Sequence, residues 1–140
     1  MKPAIKVLGV PDDINSSFMR GSSAAPPLIR EALFSASSNL FSESGLDLDQ
    51  IGIWEDLGDI EFSGEVAVEN FNNIKTFVKD VLASDQKLVS LGGDHSVSWP
   101  ILDAHLDIWD TLDILHFDAH PDLYDYLMDN KPSHAYPLLE

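Results

Sequence analysis

Three observations predict an α/β fold with a parallel sheet. Two short apolar runs, residues 87–91 and 113–117, read as buried strands. Each runs into a turn of metal-type ligands: Gly92-Gly93-Asp94-His95-Ser96 after the first, Asp118-Ala119-His120-Pro121-Asp122 after the second. The segment between them is long enough for one helix. Parallel strands joined through a crossover helix end at the same edge of the sheet. Open α/β sheets bind their ligands in the crevice there, so both ligand sets are expected to meet in it.

The other elements follow in order. Residues 5–10 form a short apolar run closed by Pro11 and Asp12-Asp13, a first buried strand with its exit turn. Residues 14–25 are small and polar and read as a loop at the same edge. Pro26-Pro27 opens a helix, where a missing N–H costs nothing, and Leu28, Ile29, Ala32 and Leu33 continue it at helical spacing. That helix fades into residues 35–39, and an acidic loop follows over 41–50. Residues 51–57 are a candidate strand, with Gly58-Asp59 as its turn. An amphipathic helix is expected over 65–83, from Val66, Phe71, Ile74, Phe77, Val78, Val81 and Leu82. After the strand at 87–91, a helix over 96–106 tolerates Pro100 in its first turn. Residues 123–132 read as a polar and aromatic loop, and 137–140 as the start of a helix.

The 140 residues give room for one domain with a core. An apolar fraction of 44% is that of a globular chain, not a disordered one. The net charge is −16, and no basic residue lies between Arg30 and Lys75. Such a surface repels nucleic acid and anionic lipid and suits a small cationic substrate, although solubility alone explains a charge excess equally well. The absence of cysteine excludes disulfides, zinc-thiolate sites and cysteine nucleophiles. No span is long enough to cross a bilayer and the N-terminus lacks a long apolar leader, so a cytoplasmic protein is expected.

Asp118, His120 and Asp122 alternate, so in an extended segment they point the same way, and His95 arrives from the neighbouring strand end. Carboxylate and imidazole donors without sulfur favour a metal such as manganese. A simpler reading competes with this one. Asp favours turns and helix starts, and the paired glycines need no ligand to explain them. The glycine turn is no phosphate loop, because it lacks the Gly-Lys-Ser/Thr ending. The two clusters together, at the ends of consecutive strands, favour the metal. By composition alone His134 is a surface-loop histidine. His105 reads as an exposed helix residue, and His116 as a strand residue with a hydrogen-bonded ring.

The chain resembles the arginase, agmatinase and formiminoglutamase family of ureohydrolases. Gly92 to Ser96 is similar to the family's GGDHS motif, and Asp118 to Asp122 to its DAHxD motif with Pro121 at the variable place. Residues 20–33 (RGSSAAPPLIREAL) are similar to its early loop and helix, and Asp56 to Ile60 to its D-x-G-D-V strand end. The resemblance implies a three-layer α/β/α fold with a parallel sheet, two manganese ions, and hydrolysis of a guanidino or formimino group to release urea and an amine. By position, His95 and Asp122 would bind one ion, Asp118 would bridge both, and His120 would bind the second. His134 matches the family's proton-shuttling histidine. Homo-oligomers are common in the family, so self-association is expected.

The family's later S-x-D-x-D-x-x-D-P motif is absent from these residues. Residues 1–140 therefore read as the N-terminal portion of a single arginase-like domain, truncated, with a weakened second metal site and little activity alone. The loop after Asp118 looks agmatinase-like, which implies conversion of agmatine to putrescine and urea. Formiminoglutamase, arginase and guanidinobutyrase activities remain open. So do a non-catalytic module that pairs through its open sheet edge and a different binuclear metallohydrolase.

Overall fold

The computed structural model describes residues 4–16, 18–64 and 66–120. Three strands form one sheet: β1 (Ile5–Val10), β2 (Trp54–Asp59) and β3 (Lys87–Gly92), in the order β2-β1-β3, with both pairings parallel. The helices are α1 (Ala25–Leu33), the single turn α2 (Leu48–Ile51), α3 (Ala67–Leu82) and α4 (Ser98–Leu106).

Strand β1 is central, paired on both sides. Of its even positions, Leu8 and Val10 are fully buried against Ile74, Val78 and Leu82 of α3 and Val97 and Ala104 near α4, and Lys6 is buried and paired with Glu55 of β2. Ile74, Val78, Val81 and Leu82 recur at the helical period, so a single face of α3 meets the sheet. Helices α3 and α4 pack side by side. Phe71 and Trp99 meet with ring centroids 4.2 Å apart, and Lys75 bridges to Asp103 at 2.7 Å. The odd positions Ile5 and Val7 face the other way, with Leu33 of α1, Leu40, Leu48, Ile53 and Trp54, around an apolar groove of about 230 Å³. Helices thus flank the sheet on both faces, as expected for a three-layer α/β/α fold.

Strand β2 begins later than the sequence pattern implies. Asp47 caps α2 by accepting the Asp49 N–H at 3.1 Å, and Gly52 ends that turn at φ 63°. The strand then starts at Trp54 and runs through Gly58-Asp59, which sequence pattern assigns to a turn. Its register to β1 slips between Val7 and Gly9, a bulge that Gly58 accommodates at φ 77°. Arg30 of α1 closes over this bulge. Its Nε and Nη2 donate to the Asp56 carboxylate at 2.7 and 3.0 Å, its Nη2 to the Gly58 carbonyl at 2.9 Å, and its Nη1 to Asp59.

Helix α1 forms where Pro26-Pro27 and the helical spacing place it, with Leu28 and Ile29 exposed and Pro26 as its buried residue. One further expectation is corrected. Residues 113–117 form no strand: they join no ladder, and Ile114, Leu115 and Phe117 are exposed. An apolar run records that a segment is suited to burial, but a strand also needs a partner ladder, and none reaches it among the described residues.

Candidate metal centre

The turn after β3 is built onto the exit of β1. The Gly93 N–H donates to the Val10 carbonyl and the Asp94 N–H to the Asp12 carbonyl, both at 2.9 Å. The chains approach so closely that a Cβ on Gly93 would lie 2.0 Å from the Asp12 oxygen, so only glycine fits. Asp94 holds the turn rather than facing the crevice. Its Oδ1 accepts the Ser96 N–H at 2.8 Å and the Ser96 hydroxyl, and its Oδ2 accepts the Ser16 hydroxyl at 3.2 Å. His95 is thereby fixed at the start of a short 3-10 turn (His95–Val97) that leads into α4.

Below this turn lie two adjacent buried carboxylates whose pKa values are shifted in opposite directions. Burial pushes the Asp12 carboxyl above its ordinary range, and the neighbouring charges of Asp94 and Asp13 add to that. Asp13 is held below its ordinary range, first by the Gly21 N–H at 2.6 Å and then by the Ser23 N–H at 3.1 Å. These bonds fold the polar loop back over the edge of the sheet.

Asp118 reaches the same edge as His95. The rings of His95 and His116 stand 5.5 Å apart between centroids, and His116 Nε2 lies 3.9 Å from Asp118 Oδ2. Ligand atoms of His95, His116 and Asp118 all lie within 4.8 Å of one another. His120 is not in this group. The chain bends after Asp118, whose Oδ1 accepts the His120 N–H at 2.9 Å, and the His120 side chain is 77% exposed. The alternation of an extended segment therefore does not hold there. The Asp118 carboxyl is held below its ordinary range, chiefly by that N–H, with His116 and His95 contributing. Asp122 and His134 lie outside the described residues.

His116, expected as a strand residue, lies on a segment that joins no strand and stands beside Asp118. His105 is half-buried on α4, with Nδ1 2.7 Å from the Ile101 carbonyl oxygen and its ring stacked on Trp109. Two imidazoles and a carboxylate with open positions between them are a donor set that fits a divalent transition metal.

The chain matches the model of the Arginase family over residues 3–140. It is 39% identical to a mitochondrial arginase 1 of Oryza sativa subsp. japonica over 96% of this chain and 42% of that protein. It is 37% identical to an agmatinase of Blochmanniella floridana over 85% of this chain and 40% of that protein. The arginase structure from Medicago truncatula superposes with a TM-score of 0.87 at 39% identity, covering 96% of this chain and 45% of that one. The chain thus spans less than half the length of the relatives it matches.

Proposed function

Because this chain belongs to the arginase family, we propose that it carries part of a manganese-dependent ureohydrolase site acting on a small cationic guanidino compound. The observation that supports this best is that His95 and Asp118, from separate motifs, meet at one sheet edge. His95 and Asp118 would hold the metal, with His120 and Asp122 completing the set by resemblance. Metal held by these residues would make water acidic enough to yield hydroxide at neutral pH.

The chain's own residues prepare that step. Asp94 and the Asp12 carbonyl hold the His95 turn in place. The acidic surface draws a guanidinium toward the edge. A C–O bond forms at the guanidino carbon, its bond to the substituted nitrogen breaks, and the added hydroxyl gives up its proton as the urea carbonyl forms. His134 would carry that proton to the leaving amine nitrogen.

Agmatine, giving putrescine, is the substrate suggested by the loop after Asp118. Arginine is a second reading, favoured by the arginase relatives at 38–42% identity beside an agmatinase at 37%. Residues 1–140 supply the N-terminal portion of one arginase-like domain in this reading, so activity of the chain alone is weak. No helix among the described residues is long and apolar enough to cross a membrane. A cytoplasmic location belongs to the proposal, and the rice relative is named as mitochondrial.

The test is manganese affinity of the purified chain beside Asp118→Asn, followed by urea release from agmatine and from arginine. Manganese binding that Asp118→Asn abolishes is expected. Binding unchanged by that substitution would overturn the proposed site. Urea from arginine but not agmatine would select the second substrate.

A further inference from the structure

We propose that the open edge of β3, together with the uncovered run at 113–117, is a docking surface for a second polypeptide. Its occupant is the C-terminal portion of an arginase-family domain, added without a covalent link by parallel strand pairing. The inference rests on family membership and on the sheet, not on the metal centre. It goes beyond the proposed activity by naming the partner whose strands would cover this sheet.

The two edges of the sheet differ in kind. Among the described residues β2 ends the sheet on one side. It is charged at Glu55, Asp56 and Asp59, and it slips in register against β1. Charges and bulges are how proteins keep an edge from pairing further. Strand β3 ends the sheet on the other side and carries neither device beyond Lys87. Residues 88–92 read Leu-Val-Ser-Leu-Gly, and the register to β1 runs unbroken from Ile5 opposite Lys87 to Val10 opposite Gly92. A strand of that composition belongs inside a parallel sheet, buried on both faces. Yet no residue of β3 is buried, and Val89 is half exposed. The same holds after α4, where Ile114, Leu115 and Phe117 join no ladder and lie exposed.

Length points to the occupant. The arginase from Medicago truncatula superposes on 96% of this chain, but only 45% of that arginase is covered. The same edge there lies within a chain more than twice as long. The portion without a counterpart here is large enough for several further strands with their crossover helices, at about 30 residues for each such unit. Both pairings in this sheet are parallel, so an added parallel strand continues its order. The main-chain groups of that strand would meet the outward N–H and C=O groups of β3. A second copy of this chain is the competing occupant, and a net charge of −16 on each copy weakens that association.

The experiment joins the 140 residues, through a linker with a protease site, to the part of the Medicago truncatula arginase that lies C-terminal to the matched region. The linker is then cut. The two parts are expected to stay together at one to one in size-exclusion chromatography. Amides of β3 that exchange freely in the 140-residue chain should be protected in the cut complex. Val89→Asp should weaken the cut complex by about tenfold or more, because docking would bury an unpaired carboxylate. Val68→Asp, the same change at an exposed site on α3, should leave it unchanged. Melting of the 140-residue chain checks that both variants keep the fold. Parts that separate after cutting overturn the proposal, as does a joined chain in which β3 stays unprotected, or a Val89→Asp effect no larger than that of Val68→Asp. Separation into dimers of the 140-residue chain that Val89→Asp dissolves would assign the edge to a second copy instead. None of these readings depends on metal or on urea release, so the proposed activity stands or falls separately.

Discussion

Asp12 and Asp13 are neighbours in sequence with opposite electrostatic histories, and pH separates them. Asp13 is lowered by backbone N–H donors from Gly21 and Ser23. Its contribution is present above the unfolded value of about 3.9 and is lost as pH falls through the lower folded value. Asp12 is raised by burial. Its contribution is present below about 3.9 and is lost as pH rises through the higher folded value. Asp13→Asn should therefore lower the melting temperature near neutrality and flatten its fall in acid. Asp12→Asn should hold or raise it near neutrality, because the ionised carboxylate is what burial penalises. Melting curves across the acid range check both, and an Asp13→Asn curve parallel to wild type would sink the first. At this scale the sequence motifs were informative about His95 and Asp118, because glycine turns and alternating acids are local patterns. They did not show the bend after Asp118, whose carboxylate accepts the His120 N–H where an extended segment was expected.

Helix α1 is joined to β2 chiefly through Arg30, whose fork spans Asp56, Asp59 and the Gly58 carbonyl. The Arg30 side chain is only 17% exposed, and the guanidinium holds the Asp56 carboxyl below its ordinary range. Arg30→Ala should cost about 2 kcal/mol, typical for hydrogen bonds to charged groups, and leave two unpaired acids beside each other. Arg30→Lys should recover little, since an ammonium cannot serve both oxygens of Asp56 and a carbonyl at once. Helix α3 is held differently, by packing. Ile74→Ala removes a side chain that is 1% exposed between sheet and helix, and should cost about 2–5 kcal/mol in denaturant unfolding. A loss below that of Arg30→Ala would mean the core lies elsewhere. These contrasts explain which elements were legible. β1, α3, β3 and α4 carry strong periodicity and clear ends, and sequence expectation and structure agree on them within a few residues. β2 was displaced because Gly52 closes a helical turn, a role that glycine spacing alone does not reveal. The run at 113–117 was over-read because apolarity does not say whether a ladder is in reach.

Among the described residues of the whole molecule, several apolar side chains stay uncovered. Leu115 is 81% and Phe117 87% exposed, and Val89 of β3 is half exposed. Such surface is a liability in a monomer and an opportunity for association. Sedimentation should show concentration-dependent self-association, and the double variant Leu115→Asp/Phe117→Asp should shift it toward monomer without lowering the melting temperature. A concentration-independent monomer would remove self-association from the description. The lashing of Gly93 and Asp94 to β1 has a consequence for how an ion would be received. His95 belongs to a fixed jaw, continuous with the central strand. Asp118 sits on a stretch that joins no ladder, a second jaw. An arriving ion would then act as a fastener, drawing the second jaw onto the first. Amide exchange should report this asymmetrically: Gly93 protected with or without metal, and the backbone around Asp118 protected only once the clasp is shut.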